Sequence, residues 1–532
     1  MAEKYCDYIN GDDDTGDGTA GTPYKTITKA SIGLSGGDEV RVAKSPADTA
    51  LTGTLGFTIN GTALVGTSTL FNSELVIGDF VLGGDGNYWE VVTITDDENA
   101  VLHKKYSGAT EAGVTAYKLG VTSTGEAAAT STAIQTISAS GTSAVSRLKI
   151  SGGWDLTGPT QDGQTYFRQM HGTFGNRYGR GLYASAKHNI EIERLHFMRY
   201  DSGLYMNGSD RWLITGMTCN GAGDEAINVI NCDDCTFASC IVLASVDKGI
   251  CMSGSVNNTI TNPILNSNNY ALYMSACDLC TVTNPACSSS TSGVWITACE
   301  NITITTPTCN YNTNGIVITN NSFFCTIVTP TCNDNTTVGI SITNSHNCEI
   351  VTPTCNDNGD GLKITLAYNN IVNSFSGTGN SNDVVATGLH PEIPLVSIQH
   401  FNAAGDNRQY FSHGVAYRDT ADARSGACLK FDPSSATYYI SQSFFCPVSS
   451  GVERTVKLYM KDDAGFNGDV VAALYFLGER ITGWSTWSMT TDYVEQDIVG
   501  ALGDITEDGV IELRVKVRGT AGNVFADDFS YS

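Results

Sequence analysis

Charge is scarce in this chain, and positive charge scarcest. Only 16 % of the 532 residues are charged, with 30 Lys and Arg against 55 Asp and Glu and a net charge of −25. No basic stripe is available to neutralise phosphates, which argues against a nucleic-acid partner and equally against an anionic membrane surface. Long apolar runs are missing too. None reaches the ~18–20 residues that cross a bilayer, so membrane insertion is not expected. The opening Met1-Ala-Glu-Lys is not a signal peptide. A chain otherwise so extracellular in character is expected to be made in a host cytoplasm and released by another route, such as lysis. Nucleophile elbow, metalloprotease helix and phosphate loop are all absent.

What is present is Gly, Ser, Thr and Asn in abundance, as in β-proteins with many turns, and above all a repeat. An apolar anchor recurs every 22 or 23 residues as Ile192, Ile214, Phe237, Ile260, Val282, Ile304, Ile327, Ile350 and Val372. Three residues on stand Leu195, Met217, Cys240 and then Pro263, Pro285, Pro307, Pro330 and Pro353. A further column starts with Gly or Ala and continues apolar, anything, apolar, from Gly203-Leu-Tyr-Met through Ala226, Gly249, Ala271, Gly293, Gly315 and Gly339 to Gly361-Leu-Lys-Ile. Each repeat holds short alternating stretches, hence strands and not helices. One repeat cannot bury its apolar side alone, whereas stacked repeats form a continuous core. With no ankyrin, leucine-rich or tetratricopeptide signature, a period near 22 predicts one rung of a parallel β-helix. Asn231, Asn257, Asn301, Asn321, Asn347 and Asn369 are expected at its corners, where Asn tolerates tight turns.

Seventeen cysteines would ordinarily suggest disulfides or zinc. Most keep register with the repeat: Cys287, Cys309, Cys332 and Cys355 in one column, Cys235, Cys280, Cys325 and Cys348 in another. Free Cys packs as a small hydrophobe in such stacks. The pairs Cys232/Cys235 and Cys277/Cys280 lie two rungs apart, ~10 Å, too far for one tetrahedral ion. Cys428 and Cys446 lie outside the coil, and the sequence leaves their pairing open.

The flanks read differently. Tyr8-Ile-Asn-Gly-Asp-Asp-Asp-Thr-Gly-Asp-Gly-Thr followed by Gly21-Thr-Pro-Tyr-Lys-Thr-Ile27 resembles the opening of many right-handed β-helix proteins, an acidic loop before the first rung. Clustered oxygens there make calcium at Asp12, Asp14 and Asp17 one reading and a solvated turn the other. Residues 52–119 break the rhythm with Val76–Val81, Tyr88–Ile94 and Ala100–Leu102 as alternating strands, which predicts a small inserted barrel. The stretch from Gly61-Thr to Tyr106-Ser-Gly-Ala-Thr is similar to a module common in tailed-phage structural proteins. After Asn380 the repeat fades, Pro391-Glu-Ile-Pro394 reads as a linker, and 395–532 gives about eight strands. That segment resembles a jelly-roll carbohydrate-binding module. The resemblance implies a structural calcium at Asp528 in the closing Phe525-Ala-Asp-Asp-Phe-Ser. Within it, Gly483-Trp-Ser-Thr-Trp487 is loop-like, and Trp484, Trp487 and Tyr410 are candidate stacking surfaces for sugar rings, with core packing as the alternative.

One constellation in the coil can carry chemistry. Just before the Gly/Ala column, successive rungs hold Asp201-Ser202, Asp224-Glu225 and Asp247-Lys248. In register, Asp201, Asp224 and Asp247 form a ladder of carboxylates ~4.8 Å apart, a crowding that raises at least one pKa. A split pair is what glycoside hydrolysis requires. Tyr200-Asp-Ser-Gly203, Gly223-Asp-Glu-Ala226 and Asp247-Lys-Gly249 are similar to the polygalacturonase segments Asn-Thr-Asp-Gly, Gly-Asp-Asp-Cys and Gly-His-Gly. The first carboxylate is shifted, and Lys248 replaces His. Lyases of this fold use a Lys or Arg base, a role Lys248 imitates. The bland alternative is that these are corner residues bonding their own turns.

The sequence thus predicts an all-β protein: a cap and first rung (1–51), an inserted barrel (52–119), a right-handed parallel β-helix (120–390) and a jelly-roll module (395–532). The order resembles tailed-bacteriophage virion proteins of the tailspike, appendage or decoration type. That resemblance implies a structural and adhesive virion component, homotrimeric, partnered by other virion proteins and host surface polysaccharide. A polysaccharide depolymerase is the alternative. No cofactor is required beyond possible structural calcium.

Overall fold

The computed structural model describes residues 2–123, 133–169, 179–365 and 370–387, and then the backbone of the strands between 396 and 531. The protein is nearly all β. Among the described residues the two helices are single turns, Ile27–Ala30 and Phe71–Glu74. Two compact units divide it, Met1–Asn312 and Thr313–Ser532.

In the first unit the chain winds through three parallel sheets. The first runs from Glu3–Cys6 through Glu39–Ala43, Leu148–Asp155, Ile190–Glu193, Leu213–Thr215, Thr236–Ala238, Thr259–Thr261 and Thr281–Thr283 to Thr303–Thr305. The second holds Thr122–Ser123, Thr165–Arg168, Leu195–Met198, Thr218–Asn220, Ile241–Leu243 and Ile264–Asn266. The third holds Ala133–Thr136, Arg180–Ser185, Ser202–Asn207, Ile227–Ile230, Lys248–Ser253, Tyr270–Ser275 and Ser292–Thr297. The anchor column pairs with itself, Ile192 with Ile214, then Phe237, Ile260, Val282 and Ile304, and every member is buried. This is the expected β-helix, and its register follows from the period, because a one-residue slip would turn each anchor to solvent.

The corners explain the remaining columns. Asn231, Asn257 and Asn301 adopt φ of 50°, 56° and 52°, the left-handed region that Asn enters most cheaply among residues with a Cβ. The Gly/Ala column is steric. A Cβ on Gly203 would stand 2.5 Å from Cys219 Sγ, and one on Gly249 would stand 2.4 Å from the Ala271 carbonyl oxygen. The prolines stand where their missing N–H is not needed, and their carbonyls accept from the next rung, as Pro263 does from Ala286 N at 2.9 Å.

The barrel is inserted between neighbouring rungs, since Val40 pairs directly with Ile150. Thr49–Phe57, Ala63–Thr67, Phe80–Leu82, Tyr88–Ile94, Asn99–Leu102 and Glu111–Lys118 close on themselves around Leu55, Phe57, Leu64, Phe71, Trp89, Leu102 and Tyr106. The barrel lies along the second sheet. Phe80 and Leu119 pack on Met198, Arg168 pairs with Asp79 at 2.7 Å, and Arg199 pairs with Glu90 at 3.1 Å. Ser267 Oγ donates to the Lys105 carbonyl at 2.7 Å, which brings the barrel to the corner after that sheet.

The second unit has rungs of its own, with Asn314–Thr319, Val338–Thr343, Asp360–Thr365 and Asn382–Thr387 in one sheet. Thr326–Val328, Glu349–Val351, Asn370–Phe375 and Val396–Phe401 form another. Here Asn321 and Asn347 are the left-handed corner residues, with φ of 57° and 55°. A buried ladder binds successive rungs: Asn335 N donates to Asn358 Oδ1 at 2.9 Å, and Asn358 N to Asn380 Oδ1 at 2.8 Å. Val396–Phe401 then pairs antiparallel with Gln409–His413, which leads to Ile440–Val448, Gly509–Gly519 and Gly468–Phe476. A second antiparallel sheet holds Ala416–Asp419, Cys428–Phe431, Val524–Tyr531, Arg454–Asp462 and Val494–Gly500. Asn369 and the linker Pro391–Pro394 lie outside the described residues.

The cysteine columns are structural. Cys287, Cys309, Cys332 and Cys355 are each 0 % exposed, and Cys235, Cys280, Cys325 and Cys348 are buried as well. Burial pushes the Cys235 thiol up to about 12, so little nucleophilic thiolate exists at neutral pH. Because all four are wholly buried, native protein is expected to resist alkylation at Cys287, Cys309, Cys332 and Cys355. Cys309→Ser is expected to cost ~1–3 kcal/mol in a denaturant melt, for burying a hydroxyl without an assured partner. Rapid native labelling of the four would refute the register.

Candidate functional site

The corner between the second and third sheets gathers the predicted acids. Leu204 pairs with Ile227 and Ile227 with Ile250, so the residues three before each, Asp201, Asp224 and Asp247, stand in register on successive rungs. Their backbones are tied as well, with Asp224 N donating to the Asp201 carbonyl at 3.0 Å. The carboxyl groups that converge are Asp224, Glu225 and Asp247, whose oxygens lie within 4.8 Å of one another. Lys248 Nζ pairs with two of them, donating to Glu225 Oε1 at 2.9 Å and Asp247 Oδ2 at 2.6 Å. Asn228 Nδ2 donates to Glu225 Oε2 at 3.1 Å, and Asn269 Nδ2 to Asp247 Oδ1 at 3.3 Å.

This packing divides the protons unequally. Burial, a hydrogen bond to Glu225 and the charges of Glu225 and Asp201 raise the Asp224 carboxyl to about 7, against the pull of Lys248. Glu225 moves the other way: although burial alone would raise it, hydrogen bonds from Asp224 and Lys248 hold it below the ordinary carboxylate range. Asp201 is raised by burial and by Glu225, with Arg180 opposing. Hydrogen bonds from Lys248 to its two carboxylates outweigh burial and hold its ammonium well above its usual value. Lys248 is thus suited to balancing charge and not to abstracting a proton. Asp224 is the group that carries a transferable proton near neutrality.

The third sheet adds residues that the sequence analysis did not single out. The variable position of the Gly-Leu-Tyr-Met column faces outward, and it places Tyr183, Tyr205, Asn228, Cys251, Tyr273 and Trp295 side by side on consecutive rungs. Tyr183 stacks on Tyr205 with centroids 5.6 Å apart, and Arg180 lies 3.5 Å over the Tyr205 ring. Tyr270 meets Tyr273 and Trp295 edge-on at 5.6 and 5.4 Å. Lys248 Nζ lies 5.3 Å over Tyr273, which links the rings to the acids. The signal was present in the repeat: an unconstrained column carrying three tyrosines and a tryptophan.

The other predicted residues are dispersed. Asp12 Oδ1 accepts from Asp14 N at 2.7 Å, and Asp17 Oδ1 accepts from Thr19 N at 2.9 Å, so both carboxylates serve their own turns. Hydrogen bonds from Thr22 and Thr19 lower Asp17 to about 2. Asp14 shares that loop, and Asp528 stands on the strand Val524–Tyr531. Tyr410 lies on Gln409–His413, between Ile398 and Phe444. Trp487 closes the short strand Ser485–Trp487, opposite Val470, where the sequence had read as loop. Trp484 lies outside the described residues.

The solenoid matches a family model described as periplasmic copper-binding protein (NosD), over residues 160–323 and 265–390. No curated protein matches the chain in sequence. Among solved structures, the A-module of the Azotobacter vinelandii mannuronan C-5 epimerase AlgE4 is similar at 12 % identity and a TM-score of 0.36, over 48 % of this chain and 84 % of that one. The enzymatically active domain of bacteriophage CBA120 tailspike protein 4 is similar at 11 % identity and a TM-score of 0.31, over 89 % of this chain and 76 % of that one. The Dettilon tailspike protein is similar at 11 % identity and a TM-score of 0.32, over 73 % of this chain and 80 % of that one.

Proposed function

We propose that the protein is a tailspike-type virion component that holds a host-surface polysaccharide against its β-helix and hydrolyses it at the Asp224 corner. The observation that carries this reading is the Asp224–Glu225 pair, one carboxyl held protonated near neutrality and its neighbour held ionised. Glycoside hydrolysis needs a neutral acid for the leaving oxygen, which ionised Glu225 keeps protonated at Asp224, and a separate carboxylate for the water. Asp224 gives its proton to the departing sugar oxygen as the glycosidic bond breaks. Water attacks the anomeric carbon, and Asp201, one rung away, takes the water's proton. Lys248 offsets the charge of Glu225 and Asp247 throughout. Release of reducing ends from host capsule or lipopolysaccharide tests the reading; none from any host glycan would leave adhesion alone.

Adhesion is the second reading, and it rests on the resemblance of residues 395–532 to a carbohydrate-binding module. There Trp484, Trp487 and Tyr410 are the proposed stacking residues, with calcium at Asp528, and Asp12, Asp14 and Asp17 are proposed for a second calcium. In either reading the protein belongs to the virion, beside other virion proteins. It is proposed to be a homotrimer, since repeated surfaces usually close by cyclic symmetry. Light scattering at micromolar concentration is expected to return three times the 56.5 kDa chain mass, and a monomeric mass would refute the trimer.

A further inference from the structure

The outward column of the third sheet is not uniform, and its break lies opposite the acids. Tyr205 and Tyr273 are separated by three rungs, about 14 Å at the usual strand spacing. The two positions between them hold Asn228 and Cys251, small side chains that are 7 % and 6 % exposed. Both belong to the rungs that carry Asp224, Glu225 and Lys248. Asn228 hydrogen-bonds Glu225, and the charges of Glu225 and Lys248 act on the Cys251 thiol. The row of rings is thus notched where the proton donor sits. Arg180 and Tyr205 wall the notch on one side, and Tyr273, Tyr270 and Trp295 wall it on the other.

We infer that a glycan strand lies parallel to the solenoid axis, with the sugar that is attacked seated on Asn228 and Cys251 and its neighbours stacked on Tyr273 and Trp295. The inference rests on the polysaccharide reading above and adds the direction of the strand and the residues that hold it. The physical reason is complementarity. A pyranose ring is comparable in length to the height of one rung, so successive sugars meet successive rungs. Aromatic faces and edges bind the C–H surfaces of sugars, while the notch, free of rings, lets the glycosidic oxygen reach Asp224.

The test is a substitution that fills the notch without touching an acid. Cys251→Tyr continues a column that already holds Tyr205 and Tyr273, and circular dichroism and thermal melting check that the fold accepts it. The probe is an array of bacterial capsular and O-antigen polysaccharides, read with the full chain in wild-type and Asp224→Asn form. Wild type and Asp224→Asn are expected to bind the same members. Cys251→Tyr is expected to abolish that binding, and Trp295→Ala and Tyr273→Ala to weaken it by roughly tenfold each. Should Cys251→Tyr misfold, the two ring variants carry the test. Binding unchanged in Cys251→Tyr and Trp295→Ala overturns the inference, as does failure of the wild type to bind any member. If Asp224→Asn hydrolyses as fast as wild type while the ring variants still lose binding, the catalytic reading fails and this one stands.

Discussion

Asp224→Asn is expected to slow the release of reducing ends from host polysaccharide by on the order of 10²–10⁴-fold, the usual worth of a positioned general acid. Binding and melting temperature should change little, since the amide occupies the same space. The pH profile makes the test specific. Asp224 is raised to about 7, so wild-type activity should fall as the pH rises through that value and the proton is lost. The acid limb should follow Asp201, which takes the water's proton and is itself raised from its ordinary range by burial and by Glu225. Stability follows the same proton. Between 3.8 and about 7 the folded chain holds a proton at Asp224 that the unfolded chain has released, so unfolding free energy declines as pH rises across that window. Asp224→Asn should flatten that slope and melt no lower than wild type at pH 8. Undiminished activity in the variant would return Asp224 to the role of a corner residue and leave adhesion as the function.

Glu90→Ala is expected to cost ~3–5 kcal/mol, the largest stability loss of a single polar substitution here. Glu90 and Arg199 are 2 % and 8 % exposed at the side chain, and Glu90 also meets His103 Nδ1 at 3.5 Å. Removing the carboxylate takes from a buried guanidinium its Glu90 ion pair, between barrel and solenoid and with little room to move. The barrel backbone is so close at Gly78 that a Cβ there would stand 2.2 Å from Arg199 Nη1. The cost comes from keeping a charge buried after its Glu90 carboxylate is gone and not from the pair itself, so Glu90→Leu with Arg199→Met should recover most of it. A chemical melt of the single and double variants decides the matter. A loss under ~1 kcal/mol for Glu90→Ala would show that water reaches Arg199 and that the barrel is loosely seated.

How much of this was legible beforehand divides along a physical line. A constant period fixes everything that repeats. Because each rung buries the same anchor, Ile192 through Ile304 had to stack in register in the first unit, as Ile327 through Val372 do in the second, and that register alone aligned Asp201, Asp224 and Asp247. It also placed the thiols inside and Asn231, Asn257 and Asn301 at left-handed corners. Periodicity says nothing about side chains that break it. Lys248 suggested a base in the sequence, and only its two ion pairs showed an ammonium locked between carboxylates. The hydrogen bond that splits Asp224 from Glu225 depends on rotamers within one corner, which no spacing encodes. The barrel's strands were readable from their alternation, but its seat was not: Glu90 and Arg199 are distant in sequence and meet only once the solenoid has formed. The sequence by itself determined the coil, its register and the line of acids, because those follow from burying one residue in every 22 or 23. The tertiary structure alone decided which acid keeps its proton and where the outer row of rings opens, because both depend on contacts between rungs that the repeat leaves free.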